Sequence, residues 1–132
     1  MKKKIILIIS YVLMAFIGIA AYSSAGETCD LNGEWNVSIE HYGALQGIGT
    51  IKGDLMIVQK GNKFVAKSTK DTEYSKKGTK KIKGRLGENG IKKALYNRPD
   101  VGWIKAKGEI NNNCDKLIFD DREAVKVILE KK

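Results

Sequence analysis

The fold is decided by the stretch Glu34-Trp35-Asn36-Val37-Ser38-Ile39-Glu40, in which apolar and polar side chains alternate without a break. Successive side chains of a β-strand point to opposite faces, so this order places Trp35, Val37 and Ile39 together on one face. The pattern predicts a strand with one buried and one solvated face. Because no later segment carries a sustained helical period, we expect an all-β chain.

Short apolar runs separated by turn sequences continue to the end of the chain. Lys60-Gly61-Asn62 and Asn89-Gly90 are turn sequences that place residues with positive φ between two strands. The further predicted strands are residues 54–59, 63–67, 80–86, 91–97, 102–110, 115–119 and 125–129. About eight strands joined mostly by short turns predict a single antiparallel up-and-down β-barrel.

The N-terminal segment has the order of a secretory signal peptide. Lys2-Lys3-Lys4 precedes an apolar run over residues 5–21, and Ser23-Ser24-Ala25 offers small residues for cleavage. The run is shorter than the roughly 20 residues of a membrane-spanning helix, which favours cleavage over an uncleaved anchor. We therefore predict a signal peptide over residues 1–25 and a β-barrel domain over residues 26–132, exported to the periplasm or secreted.

Two cysteines, Cys29 and Cys114, lie close to the two ends of the predicted domain. An exported protein meets an oxidising compartment, so we predict a disulfide between them. The wide spacing differs from the C-x-x-C pattern of redox-active pairs and indicates a structural bond. Acylation of Cys29 as a lipoprotein is the alternative, but Glu27 and Thr28 replace the small and apolar residues that such a site needs.

Basic residues dominate the charge of the chain. The formal net charge is +9, and it falls to +6 without the predicted signal peptide, whose three lysines are its only charged residues. The densest basic stretch predicts binding of an anionic lipid, a glycan or an acidic protein, with no specific nucleic acid. Its candidate anion-binding residues are Lys76, Lys77, Lys80, Lys81, Lys83 and Arg85. The alternative is a solvated strand face whose lysines discourage edge pairing.

Residues for catalysis or metal binding are not apparent in the sequence. His41 is the only histidine, and a zinc site would need further nitrogen or sulfur ligands. Strand alternation places Ser38 on the face opposite to His41, so the two do not form a nucleophile and base. We expect no catalytic residue, no metal and no cofactor, and hence a protein that is not an enzyme.

The five residues Leu31-Asn32-Gly33-Glu34-Trp35 resemble the L-x-G-x-W start of lipocalin-like, calycin-type barrels. The resemblance implies that Trp35 closes one end of the barrel and that residues 42–53 form a long connection at the other end. It also implies a carrier of one small apolar or amphipathic ligand, which an eight-stranded barrel is just wide enough to hold, and we expect the carrier to be a monomer. Candidate ligand-lining residues are Tyr42, Met56, Phe64, Tyr96, Trp103 and Phe119. Alternatively, these side chains fill the barrel and leave no cavity.

Overall fold

The computed structural model describes residues 29–72 and 75–132, and the predicted signal peptide lies outside these ranges. A 3-10 helix, Gly43–Ile48, joins the first two of eight strands. The strands are β1 (Gly33–His41), β2 (Thr50–Lys60), β3 (Lys63–Ser68), β4 (Lys80–Gly87), β5 (Gly90–Arg98), β6 (Gly102–Ile110), β7 (Lys116–Asp120) and β8 (Val125–Lys131).

Each strand pairs antiparallel with the next, and β8 returns to pair with β1. The closing register runs from Trp35 opposite Lys131 to His41 opposite Val125. The predicted all-β, up-and-down barrel of eight strands is thus confirmed. Every strand has a paired neighbour on both sides, so the sheet keeps no free edge strand.

One end of the barrel, here called the closed end, is filled by large side chains. Trp35 has no exposed surface, and its Nε1 donates a hydrogen bond to the Leu31 carbonyl oxygen at 2.9 Å. Phe64 and Phe119 are also buried, with ring centroids 6.1 Å apart. The Phe64 ring lies directly over Gly84, where a Cβ atom would approach ring atom Cε1 to 2.6 Å. This packing explains why the strand carries a glycine there.

The disulfide between Cys29 and Cys114 lies at the same closed end. It joins the segment before β1 to the connection between β6 and β7, with Cα atoms 5.6 Å apart. Gln59 supports this segment, since its Oε1 accepts from the Leu31 N–H at 2.7 Å and its Nε2 donates to the Cys29 carbonyl at 3.0 Å. The predicted bond is confirmed, and it fixes the segment before β1 to a late hairpin.

Among the described residues, no helix has the length and apolar character that crossing a membrane requires.

Candidate ligand-binding cavity

The other end of the barrel, here called the open end, contains a cavity of about 540 Å³. It exists because most of the inward-facing residues at this end are small or medium in size. Gly53 and Ser68 occupy positions on β2 and β3, whereas β1 and β3 carry Trp35 and Phe64 at the closed end. Side chains therefore fill one half of the barrel and leave the other half unfilled. Known ligand pockets occupy roughly 300–1,000 Å³, so this cavity is large enough for a small molecule.

The cavity walls are mostly apolar. Three adjacent strands, β8, β1 and β2, supply a continuous hydrocarbon surface. Its residues are Val37, Ile39, Ile51, Leu55, Val125 and Val127. Leu45 and Ile48 of the 3-10 helix extend this surface to the mouth, where Ile48 is 41% exposed. Contact with such walls favours an apolar molecule or the apolar part of an amphipathic one.

Lys81 lies in the wall opposite this hydrocarbon surface and is only 5% exposed. Its ammonium nitrogen is 5.7 Å from the ring centroid of Tyr96, which also lines the cavity. None of the ion pairs or side-chain hydrogen bonds formed by the described residues includes Lys81. Burial lowers the pKa of this ammonium group, and no neighbouring carboxylate opposes the shift.

Arg98 also reaches the cavity, but its charge is fully paired. Its Nε donates to Asp100 at 2.7 Å, and its Nη1 lies 3.3 Å from both Asp121 and Glu123. A second Nη2 contact with Asp100 makes that pair bidentate. The Asp100 hydrogen bonds raise the pKa of Arg98 despite its burial. This guanidinium is therefore committed to contacts within the protein.

Asp121 is the buried member of this cluster and organises the turn between β7 and β8. Its Oδ1 accepts backbone N–H bonds from Glu123, Ala124 and Val125 at 2.8–3.0 Å. Burial alone would disfavour the carboxylate, but these bonds and Arg98 outweigh that effect and lower the pKa of Asp121. The Asp121 carboxylate is thus ionised and stabilises the turn between β7 and β8 at the open end.

Tyr96 is the one predicted ligand-lining residue that lies in the cavity wall. Burial, together with the negative charge of Asp121, raises the pKa of its hydroxyl to about 12. Tyr42 is instead turned toward β7, where its hydroxyl donates to Asp120 at 2.6 Å; this hydrogen bond raises its pKa to about 12. The Tyr42 hydroxyl is therefore hydrogen-bonded to Asp120, and Tyr42 does not line the cavity.

The other four predicted ligand-lining residues also lie away from the cavity. Phe64 and Phe119 pack against each other at the closed end. Met56 faces outward, since its neighbours on β2 face the barrel interior. Trp103 is 37% exposed on the outer surface, with the Lys83 ammonium 4.2 Å from its ring centroid.

The predicted anion-binding residues do not share one surface. Lys81 faces the interior and Lys83 is packed over Trp103, whereas the remaining members are exposed to solvent. Those exposed members are Lys76, Lys77, Lys80 and Arg85. The stretch is therefore divided between the cavity and the outer face of the barrel.

Strand register creates a different group of cations on the outer face, here called the basic row. Lys60 lies opposite Lys63, Lys63 opposite Arg85, and Arg85 opposite Lys93. All four side chains are exposed, and none belongs to an ion pair among the described residues. Three members, Lys60, Lys63 and Lys93, lie outside the densest basic stretch, so only the pairing of the strands brings the row together.

The rim of the cavity includes His41, whose Nδ1 donates to the Gly49 carbonyl oxygen at 2.7 Å. Over the part of the chain that the structure describes, no group of His, Cys, Asp or Glu side chains is arranged to hold a metal ion. No protein-family model, curated protein or solved structure matches this chain. The function is therefore argued from the cavity and the surface themselves.

Proposed function

We propose that this protein is an exported, calycin-type carrier that binds one small apolar or amphipathic molecule inside its barrel. The observation that carries the proposal is the cavity of about 540 Å³ with mostly apolar walls at the open end. An apolar cavity of about 150 Å³ already binds benzene, so this one accommodates a considerably larger molecule. Removal of the ligand's apolar surface from water would supply most of the binding free energy.

Export, the calycin type and the monomeric state are the three further parts of the proposal, and each is supported by a separate feature of the chain. A disulfide is compatible with an oxidising compartment outside the cytoplasm, as export requires. The opening residues Leu31 to Trp35 resemble those of calycin-type barrels, and Trp35 is buried at the closed end of this eight-stranded barrel. Closure of the sheet leaves no edge strand through which two copies could pair, which favours a monomer. We propose a binding activity without catalysis.

The experiment fills the cavity from a position that tolerates a side chain. A Cβ atom at Gly53 would meet only Val37 Cγ1 at 3.5 Å, an ordinary contact, so Gly53→Phe can project a ring into the cavity. Thr50→Phe adds the same ring on the exposed face of the same strand and is the matched control. Circular dichroism establishes that both variants are folded.

Binding of the neutral fluorescent probe N-phenyl-1-naphthylamine is then measured for the three proteins. We expect wild type and Thr50→Phe to bind it with similar affinity and Gly53→Phe to bind it at least about tenfold more weakly, a change of about 1.4 kcal/mol. If folded Gly53→Phe binds the probe as well as wild type does, the cavity is not the binding site and the proposal fails.

A second candidate function is recognition of an anionic lipid, glycan or acidic protein at the basic row. Like charges directly opposite one another destabilise a sheet, and here three successive strand pairs carry such an arrangement. The repeated proximity concentrates positive potential on one part of the outer face. An anionic partner would relieve the repulsion between these cations. The alignment of like charges across three strand pairs is therefore the observation that favours this function.

The test compares two variants with equal loss of charge. One replaces the basic row with glutamine, and the other replaces four exposed lysines elsewhere, namely Lys52, Lys76, Lys77 and Lys116. Cosedimentation with vesicles of anionic phospholipid should be lost in the first variant and largely retained in the second. Binding should also weaken as salt rises, whereas probe binding in the cavity should hardly change. Equal effects of the two variants would show that only net charge matters.

A further inference from the structure

We propose that the cavity ligand is an amphiphile with a single negative charge on its polar end, and that the Lys81 ammonium is the partner of that charge. This inference rests on the proposed carrier function and names its ligand class. The ligand's apolar body would lie against the hydrocarbon surface of β8, β1 and β2, across the cavity from Lys81.

A β-bulge aims Lys81 into the barrel. Lys67 lies opposite Lys80 and Ala66 lies opposite Ile82, so Lys81 is the extra residue of β4 between these two pairs. An extra residue breaks the alternation of side chains between the two faces of a sheet. Lys81 and Ile82 are consecutive, yet both are buried and both line the cavity. Without the bulge, strand alternation would place Lys81 on the same outer face as Lys83.

The environment of Lys81 is incomplete for a charged group. A buried ammonium needs an anion or several hydrogen-bond acceptors to offset its lost hydration. Lys81 has neither among the described residues, and the Tyr96 ring lies 5.7 Å from its ammonium nitrogen. No fully buried side-chain nitrogen or oxygen of these residues lacks a hydrogen-bond partner, so the unpaired Lys81 nitrogen reaches the open space of the cavity. A cation–π contact at this distance compensates only part of the lost hydration. An anionic head group entering the cavity would complete the environment.

The other cations of the cavity are less suited to this role. Arg98 is already surrounded by three carboxylates, and the negative charge of that cluster exceeds its own. Lys70 lies at the solvent-exposed mouth and pairs with Asp54 at 3.3 Å. Lys52 is exposed on the outer side of β2, where water hydrates it. Lys81 is therefore the buried cation that remains available to a ligand.

The test separates the charge of the ligand from its apolar chain. Octanoate and 1-octanol share a chain length, and each is titrated at pH 7.5 as a competitor of bound N-phenyl-1-naphthylamine. The proteins are wild type, Lys81→Met and the control Lys105→Met, which changes an exposed lysine of β6 outside the cavity lining. Methionine preserves the approximate length of the lysine side chain while removing a buried charge, so Lys81→Met should fold at least as stably as wild type. The affinity for octanol reports whether the cavity of Lys81→Met is intact.

We expect wild type and Lys105→Met to bind octanoate at least about tenfold more tightly than octanol. Lys81→Met should lose about tenfold in octanoate affinity while its octanol affinity stays the same or rises. If Lys81→Met binds octanoate as tightly as wild type, or loses both competitors equally, the assignment of Lys81 is overturned while a cavity that binds the probe still supports the carrier function. If wild type binds neither the probe nor either competitor, the carrier function fails and this inference fails with it.

Discussion

Replacing both Cys29 and Cys114 with alanine should strongly destabilise the fold without changing the cavity. The bond closes a loop with a sequence separation of 85 residues. Chain-entropy theory gives an entropy loss of about 15 cal/mol/K for the unfolded chain, or about 4.5 kcal/mol of native-state stability at 25 °C. Domains have total stabilities of about 5–15 kcal/mol, so the variant should unfold at much lower urea concentrations.

Urea unfolding followed by tryptophan fluorescence measures this loss, and reduced wild-type protein is the control. Reduction opens the loop but keeps both sulfur atoms, so the difference between it and the alanine variant reports the packing of the two sulfur atoms, at buried Cys29 and partly buried Cys114. The folded variant should retain its probe affinity, because the bond lies at the closed end and the β1–β8 pairing closes the barrel without it. A stability loss below about 1 kcal/mol would refute the loop-entropy reasoning. If the fully folded double-alanine variant fails to bind the probe, the cavity at the open end depends on the disulfide at the closed end, and the reasoning is refuted.

Two further predictions concern single residues. Gly84→Ala should cost about 1–3 kcal/mol of stability, because the added methyl group collides with the buried Phe64 ring; Gly47→Ala, with no atom within 4 Å of its new Cβ, is the control and should be nearly neutral by urea unfolding. Asp121→Asn should lower the free energy of unfolding by about 3 kcal/mol at pH 7. This is near the low end of the cost of breaking a buried ion pair, because Arg98 retains its ion pair with Asp100. The pKa of Asp121 is lowered in the folded protein, so the stabilisation from its carboxylate is complete above about pH 4 and is lost as pH falls through the pKa of the folded state. The difference in unfolding free energy between wild type and Asp121→Asn should therefore shrink in acid. A difference that does not change with pH would contradict this origin.

The strands could be predicted because their signals are local. Alternation over β1, and turn sequences around Gly61 and Gly90, act between residues that are close in the chain. The start of β2 was harder to predict, since it begins at Thr50 rather than at residue 54. Gly53 weakens the local strand signal there, and pairing of Gly53 with Val37 of β1 determines the outcome.

The cavity residues could not be predicted in the same way, because strand alternation gives the face of a residue but not its height in the barrel. Phe64 and Tyr96 both face inward, yet only the Tyr96 side chain reaches the open end. Height depends on the stagger between strands, which no single strand encodes. Met56 is ambiguous for a different reason, since apolar residues surround it in sequence and alternation cannot be read. The inward position of Lys81 depends on a bulge formed with β3.

The two ends of the barrel achieve order by different means. At the closed end, aromatic packing and a disulfide fix the strands. The open end cannot use such packing, because large inward side chains would fill the cavity. Its structure depends instead on the buried Arg98–Asp121 pair, which connects β5 to the turn between β7 and β8 across the intervening strand β6. Polar contacts are directional, so they hold this rim in place while leaving the apolar interior free for a ligand.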